Sequence, residues 1–294
     1  MKDAALTAEW AVVEGDVAIV SRDTGEFWFL DVANRADVTP FTKPMTGRGT
    51  RGSTGALLNG AVALGFGSAE SWSKQQTISL PKYIFDLVGS YHNAHRAPGH
   101  FREAAKRLRE LGRADISAYL ETHAREETGH DRLVLKDLRA LGLPGERIIA
   151  NFIPNGMRAL CALFDELAAS DYPIGCIGYS YCFEYTAAFK GKREVDALAA
   201  LCPPGVDAMR FLRTHSGMGS EAGHVEDIVD FVAELPAFDR IEIVKATYLT
   251  ARKLAEGVSA DGKLSDAQIL AELEAAAGEK VQLSVEAPRQ FELA

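Results

Sequence analysis

Basic residues are in deficit along this chain: 32 lysines and arginines stand against 41 aspartates and glutamates, a formal net charge of -9 over 294 residues. Nucleic-acid and anionic-membrane partners call for a basic surface, so neither is expected. Cysteine is scarce too. Cys161, Cys176, Cys182 and Cys202 show neither CxxC spacing nor a dense disulfide framework, which leaves reduced, mostly buried thiols as the expectation. No apolar run approaches the roughly 20 residues that span a bilayer, and the opening MKDAALTAEW lacks a basic segment followed by an apolar one. A soluble, cytoplasmic protein is expected. Hydrophobic residues make up 47% of the chain, enough for one large domain, or one domain with a small appendage.

Residues 8–31 read as three short strands, with turns at Glu14-Gly15-Asp16 and Asp23-Thr24-Gly25. The stretch TPFTKPMTGRGTRGSTG follows, and then a helix from Ala56 to Phe66. From Leu80 the pattern turns helical. Pro81 opens a helix carrying Ile84, Phe85, Leu87, Val88 and Tyr91; Ala97-Pro98-Gly99 is expected to break it, and Phe101 to Leu111 forms a basic amphipathic helix. Ala114 to Leu141 reads as one long helix, and helical spacing resumes from Ile148 to Ala169 after Leu143-Pro144-Gly145. Ala246 to Gly257 reads as a closing helix, Ser265 forms a capping box with Gln268 for a helix ending at Gly278, and VQLSV adds a strand, expected in the N-terminal sheet. The expected fold class is mainly α: a helical bundle over 79–258, a small N-terminal α+β appendage over 1–78, and a C-terminal helix and strand extension over 259–294.

Three places put charge where a core belongs. Stepping by three and four from Ile116 passes Tyr119 or Leu120, then His123, Glu127, His130, Val134 and Leu138, so three titratable groups point where leucines point. A salt-bridged, solvated face is the plain alternative for a single Glu-x-x-His. Glu184 sits in the apolar and aromatic run IGCIGYSYCFEYTAAF, in line with Ile177, Tyr181 and Ala188; an exposed side chain paired with Lys190 or Arg193 is its alternative. His215 follows Ala208, Phe211 and Leu212 at helical spacing, and Glu221 with His224 opens a stripe continued by Ile228, Phe231 and Leu235. Two Glu-x-x-His pairs on inward stripes with an isolated Glu between them fit a dinuclear metal site in a helical bundle.

The segments HAREETGHDRLVLKDLRALG, FEYTAAF and THSGMGSEAGHVED resemble the haem-oxygenase-like di-iron oxidases, within the larger set sharing the fold of thiaminase II (TenA-like) and pyrroloquinoline-quinone synthase (PqqC-like) proteins. The resemblance covers about Leu80 to Leu254. It implies two iron ions cycling between Fe(II) and Fe(III), with manganese as the alternative metal and O2 as co-substrate. It also implies metal ligands at Glu127, His130, Glu184, His215, Glu221 and His224, with Glu127, His130, Glu184 and His224 as the catalytic set. His123, Glu126, Asp131 and Tyr181 would stand around them. One departure is visible: the acid of the third segment is Glu221 rather than Asp, and its gap from His215 is two residues longer than in the family. Either a bulge or helix break at Ser216 to Ser220 takes up the length, or His215 is not a ligand and His123 substitutes.

The chemistry implied is oxidation of a small amino-acid-, amine- or fatty-acid-like substrate in the apolar interior. Tyr119, Tyr179, Tyr181 and Phe211 are pocket candidates that read equally as aromatic core, and Arg210 or Arg213 would take a substrate carboxylate unless both lie on a solvated face. His92, His95 and His100 are expected at the surface. The N-terminal unit weakly resembles PqqD-like peptide-recognition domains, which implies a carrier peptide docked by strand addition. The other reading is an extension packed on the helical domain or forming a dimer interface; a homodimer is expected. Two further classes remain: a metal-free thiaminase- or quinone-synthase-like enzyme using Cys176 or Cys182 beside Tyr179 and Glu184, and a non-catalytic binding protein. A ferritin-like bundle would need an upstream carboxylate, with Glu103 or Glu121 as candidates.

Overall fold

The computed structural model describes residues 8–33, 40–67, 77–188, 192–216, 223–281, 283 and 291–292. The three runs expected as strands form β1 (Ala8–Val13), β2 (Val17–Arg22) and β3 (Phe27–Asp31), an antiparallel meander in the order β1-β2-β3. Its register pairs Trp10 with Val20 and Ile19 with Phe29. Gly15 and Asp16 turn the first hairpin at φ +80° and +57°, the left-handed region that Gly and Asp tolerate best. Helix α1 (Arg51–Gly67) starts earlier than Ala56. Its first turn is capped by Thr50, whose Oγ1 accepts from the Ser53 N–H at 3.1 Å.

After β4 (Thr77–Ile78) the chain is helical: α2 (Leu80–Glu110), α3 (Ala114–Glu126), α4 (Asp131–Ala140), α5 (Gly145–Asn151), α6 (Asn155–Ala169), α7 (Gly175–Ala188), α8 (Lys192–Ala199), α9 (Arg210–His215), α10 (His224–Ala233), α11 (Ala237–Asp261) and α12 (Asp266–Ala277), before β5 (Phe291–Glu292). Two expected helix bounds are overturned. Pro98 does not end a helix; α2 runs through it, because Ala94, Ala97, Pro98 and Phe101 are all buried and packing on both sides of the proline holds the missing hydrogen bond's turn in place. The expected continuous helix Ala114 to Leu141 is instead two helices, parted at Glu127 to His130, where Gly129 adopts φ +99°. The capping box of Ser265 and Gln268 forms, and Gly278 ends α12 at φ +69°. Of VQLSV, Val281 and Leu283 are irregular and the others lie outside the described residues. The C-terminal strand is β5, which pairs with β4 (Thr77 opposite Glu292) and not with the N-terminal sheet.

Packing divides into two apolar clusters. The first surrounds α11 and joins Ile243, Val244 and Ala251 to β1, β2, α1, α3, α6, α7, α10 and the second half of α2. The N-terminal α+β unit therefore shares its core with the bundle. The second cluster joins the first half of α2 to α4, α5, α8, α9 and α12. Helix α7 lies close on α11 because Gly178 has no side chain: a Cβ there would come 2.3 Å from the Ile243 carbonyl oxygen. No helix among the described residues is long and apolar enough to cross a membrane.

One ion pair ties the sheet to α11. Arg240 and Glu9 are 0% and 1% exposed, and Arg240 Nε donates to Glu9 Oε1 at 2.5 Å. The Ser53 and Thr54 hydroxyls donate to Glu9 Oε2 at 2.5 and 2.6 Å, and Arg240 also donates to the carbonyls of Leu235 and, at 3.2 Å, Gly47. Both charges are fully satisfied, so removing one partner strands the other. Arg240→Met should destabilise the fold by about 3–5 kcal/mol in urea titrations, and adding Glu9→Gln should recover much of that loss. A single variant with wild-type stability would show that the pair contributes nothing.

Candidate metal centre

Four segments deliver the polar groups. His123 lies in the last turn of α3, Glu127 caps that helix, and His130 precedes α4. Ser180 and Glu184 share one face of α7, His215 ends α9, and His224 begins α10. Helix α9 stops at His215 and Ser216 turns extended at ψ 160°, whereas residues 217–222, over which the longer gap to Glu221 runs, lie outside the described residues. Glu221 lies outside the described residues.

The ligand atoms of His123, Glu127 and His224 lie within 4.8 Å of one another, and so do those of Glu127, His130 and His215. Two donors on opposite sides of an ion, each about 2.1 Å from it, are about 4.2 Å apart, so sub-ångström movement closes either group on a cation. Glu127 belongs to both groups. Its Oε2 is 2.9 Å from His130 Nδ1, and Glu184 Oε1 is 3.5 Å from His224 Nδ1. Glu184 thus adjoins the first group and, among the described residues, completes no three-residue grouping of its own. His123, expected as a substitute or supporting residue, sits among the ligand-capable atoms together with His215 rather than in place of it. The donors are carboxylates and imidazoles with no thiolate, a set that suits iron, manganese or zinc.

Burial alone would raise the Glu127 pKa, but the His130 hydrogen bond and the nearby His215 and His123 outweigh it and lower the carboxyl to about 2. Glu127 is consequently an anion throughout the neutral range. Ser180 Oγ lies 2.6 Å from His123 Nε2, and the Phe101 ring meets the His123 ring edge-on at 4.7 Å. Tyr119 stacks on Phe231 at 4.0 Å; burial, then the charges of Glu184 and Asp227, push its phenol pKa well above the ordinary value.

Other expected residues are engaged elsewhere. Asp131 pairs with His95 at 2.8 Å, and Glu126 is half-exposed with its carboxylate 3.9 Å from His123 Nδ1. Tyr181 donates to Asn59 at 2.6 Å and Tyr179 to Asn93 at 2.7 Å. Arg210 pairs with Asp137 and Arg213 with Asp207, and both remain partly exposed. His92 and His100 join neither group; they contact the Phe152 carbonyl and Asp165. Cys176 and Cys182 are wholly buried, and burial pushes the Cys176 thiol up to about 12 and Cys182 further, which works against a nucleophilic thiolate. Glu103 is exposed and Glu121 pairs with Arg109. Sequence reading missed Ser180 and Asp137. The signal for Ser180 was its place four residues before Glu184; Asp137 carried none.

No protein-family model and no curated protein matches the chain. Among solved structures, the chain is similar to a domain of unknown function with a haem-oxygenase-like fold from Shewanella denitrificans. The two are 19% identical with a TM-score of 0.51, over 72% of this chain and 92% of that one. The fold is thus haem-oxygenase-like, with a three-stranded N-terminal sheet built onto it. Metal-free protein titrated with Mn(II) should bind two ions per chain, with Glu184→Ala reducing this to one and Glu127→Ala abolishing tight binding of both, as read by elemental analysis after desalting. Two ions retained by Glu127→Ala would show that this carboxylate is not shared.

Proposed function

We propose that the chain is a non-haem dinuclear oxidase that uses O2 to oxidise a small amino-acid-, amine- or fatty-acid-like molecule. The observation that supports this most is the presence of one buried carboxylate, Glu127, in two adjoining His/Glu groups. His123, Glu127 and His224, with Glu184, would hold one ion; Glu127, His130 and His215 would hold the other. When bound, a pair of iron ions supplies the electrons and the Lewis acidity that activate O2.

The protein's own residues prepare the place. Glu127, already ionised, needs no proton removed before it ligates. Ser180 fixes the His123 ring from behind, as a hydrogen-bonding neighbour does for a ligating imidazole. Phe101 and Tyr119 set their rings against His123 and Tyr119 stacks on Phe231, so aromatic faces border the site, and burial and then the charge of Glu184 keep the Tyr119 phenol protonated. A cavity of about 430 Å³ between α1, α7 and α10 is lined by Tyr181, Tyr185 and Val225, and Tyr185 and Val225 adjoin Glu184 and His224 in sequence. That space is the place assigned to the substrate.

Anaerobic loading with Fe(II) followed by exposure to O2 tests the reading. Oxygen uptake should scale with the iron bound, disappear after chelation, and fall at least a hundredfold in Glu127→Ala. Uptake no faster than that of the same Fe(II) in buffer, or undiminished after chelation, would contradict it.

A further inference from the structure

A second cavity, of about 360 Å³, opens between α2, α5 and α6, and none of the residues lining it belongs to either His/Glu group. Tyr179 separates the two regions. Its hydroxyl donates to Asn93 on α2 and its ring stacks on Phe164 of α6 at 4.0 Å, while the next residue, Ser180, faces His123. The inference drawn from this cavity does not rest on the oxidase reading.

Like Arg102 and Arg125, which bond hydroxyls, the two arginines that line the cavity make no ion pair among the described residues. Arg107, Arg113, Arg139, Arg210 and Arg252 each reach a carboxylate. Arg96 and Arg158 do not. Arg96 donates to the His92 carbonyl at 3.2 Å and Arg158 to the Ile153 carbonyl at 3.3 Å, and among the described residues neither has an acidic partner. Both line the cavity. His92 stands with them: its Nε2 lies 2.8 Å from the Phe152 carbonyl, so the proton sits there. Burial first, and then the positive charge of Arg96, His95 and Arg158, lower its pKa. Two guanidinium groups thus act on one ring at one opening, in a protein whose net charge is -9. An anion bound between them would offset their repulsion more fully than Asp165 on the same lining, whose carboxylate is engaged by His100.

The remaining walls define the anion. Ile149, Phe152 and Ile153 are apolar. Asp165 is held at the rim by His100 at 2.7 Å, and its carboxylate opposes a second negative charge on the ligand. The volume lies at the small end of the roughly 300–1,000 Å³ range of ligand sites. We propose that this cavity binds an organic monocarboxylate with a short apolar body, its carboxylate between Arg96 and Arg158 and its carbon skeleton against Ile149, Phe152 and Ile153. Planar, forked guanidinium groups suit a carboxylate better than any point charge.

Calorimetric titration of the full chain with benzoate and with inorganic phosphate, in metal-free and Mn(II)-loaded protein, tests the assignment. Benzoate should bind one per chain at least tenfold more tightly than phosphate, equally in both metal states. Arg158→Gln, at an exposed position that leaves folding intact, should weaken benzoate at least tenfold, and Arg96→Gln should do the same. Benzoate binding that both variants retain, that phosphate equals, or that appears only after Mn(II) is added would overturn the proposal, the last by placing the carboxylate at the metal centre.

Discussion

A carboxylate buried in a helical bundle must find cationic or hydrogen-bonding company or it costs several kcal/mol, and Glu127 finds it in three imidazoles. His130 bonds it directly, while His123 and His215 act on it from either side. The local chain path answers to that requirement. The chain turns at Thr128 and Gly129 between α3 and α4, and His130 Nδ1 stands 2.9 Å from the Glu127 carboxylate, the i,i+3 neighbourhood a helix would also give kept through the break. Gly129 permits this because its φ of +99° is a conformation that side-chain-bearing residues rarely adopt.

The polar centre lies along the seam between two apolar clusters. Ile116, Leu120 and Ala124 of α3 belong to the first and Val134 and Leu138 of α4 to the second, so the chain crosses the seam at Glu127 to His130. It crosses back between Leu212 of α9 and Ile228 of α10, which is where His215 and His224 stand. His123, Glu127 and Glu184 are buried at that junction of the two cores. The surrounding helices are held by polar contacts of their own: wholly buried Asp137 accepts the Phe211 N–H at 2.9 Å and Arg210 Nη1 at 3.0 Å, fixing the helix that ends in His215. Gly178 brings α7 against α11, and Arg240 on α11 anchors the N-terminal sheet through Glu9.

Much of this was legible in the sequence wherever periodicity and polarity conflicted. The inward placement of His123, Glu127 and Glu184 followed from helical stepping among apolar residues, and the structure buries all three. The strands, the capping box and the glycine ending α12 were written in local turn and cap chemistry. What escaped depended on tertiary context. Pro98 reads as a breaker locally, but packing along α2 overrides it; Glu127 to His130 reads as continuous helix, but Gly129 at φ +99° parts it into two. Arg240, 231 positions from Glu9, offers no local pattern that marks it as a core residue. Arg210 and Arg213 looked unpaired because their partners, Asp137 and Asp207, are met only in three dimensions.

The central claim is that one carboxylate serves two cations. Anomalous diffraction at the iron edge from crystals loaded with Fe(II) addresses it without a substrate. Two peaks are expected, one on each side of the Glu127 carboxylate, the first reached by His123 and His224 and the second by His130 and His215. A single peak bound by only one of these groups, or no peak beside Glu127, would contradict the account.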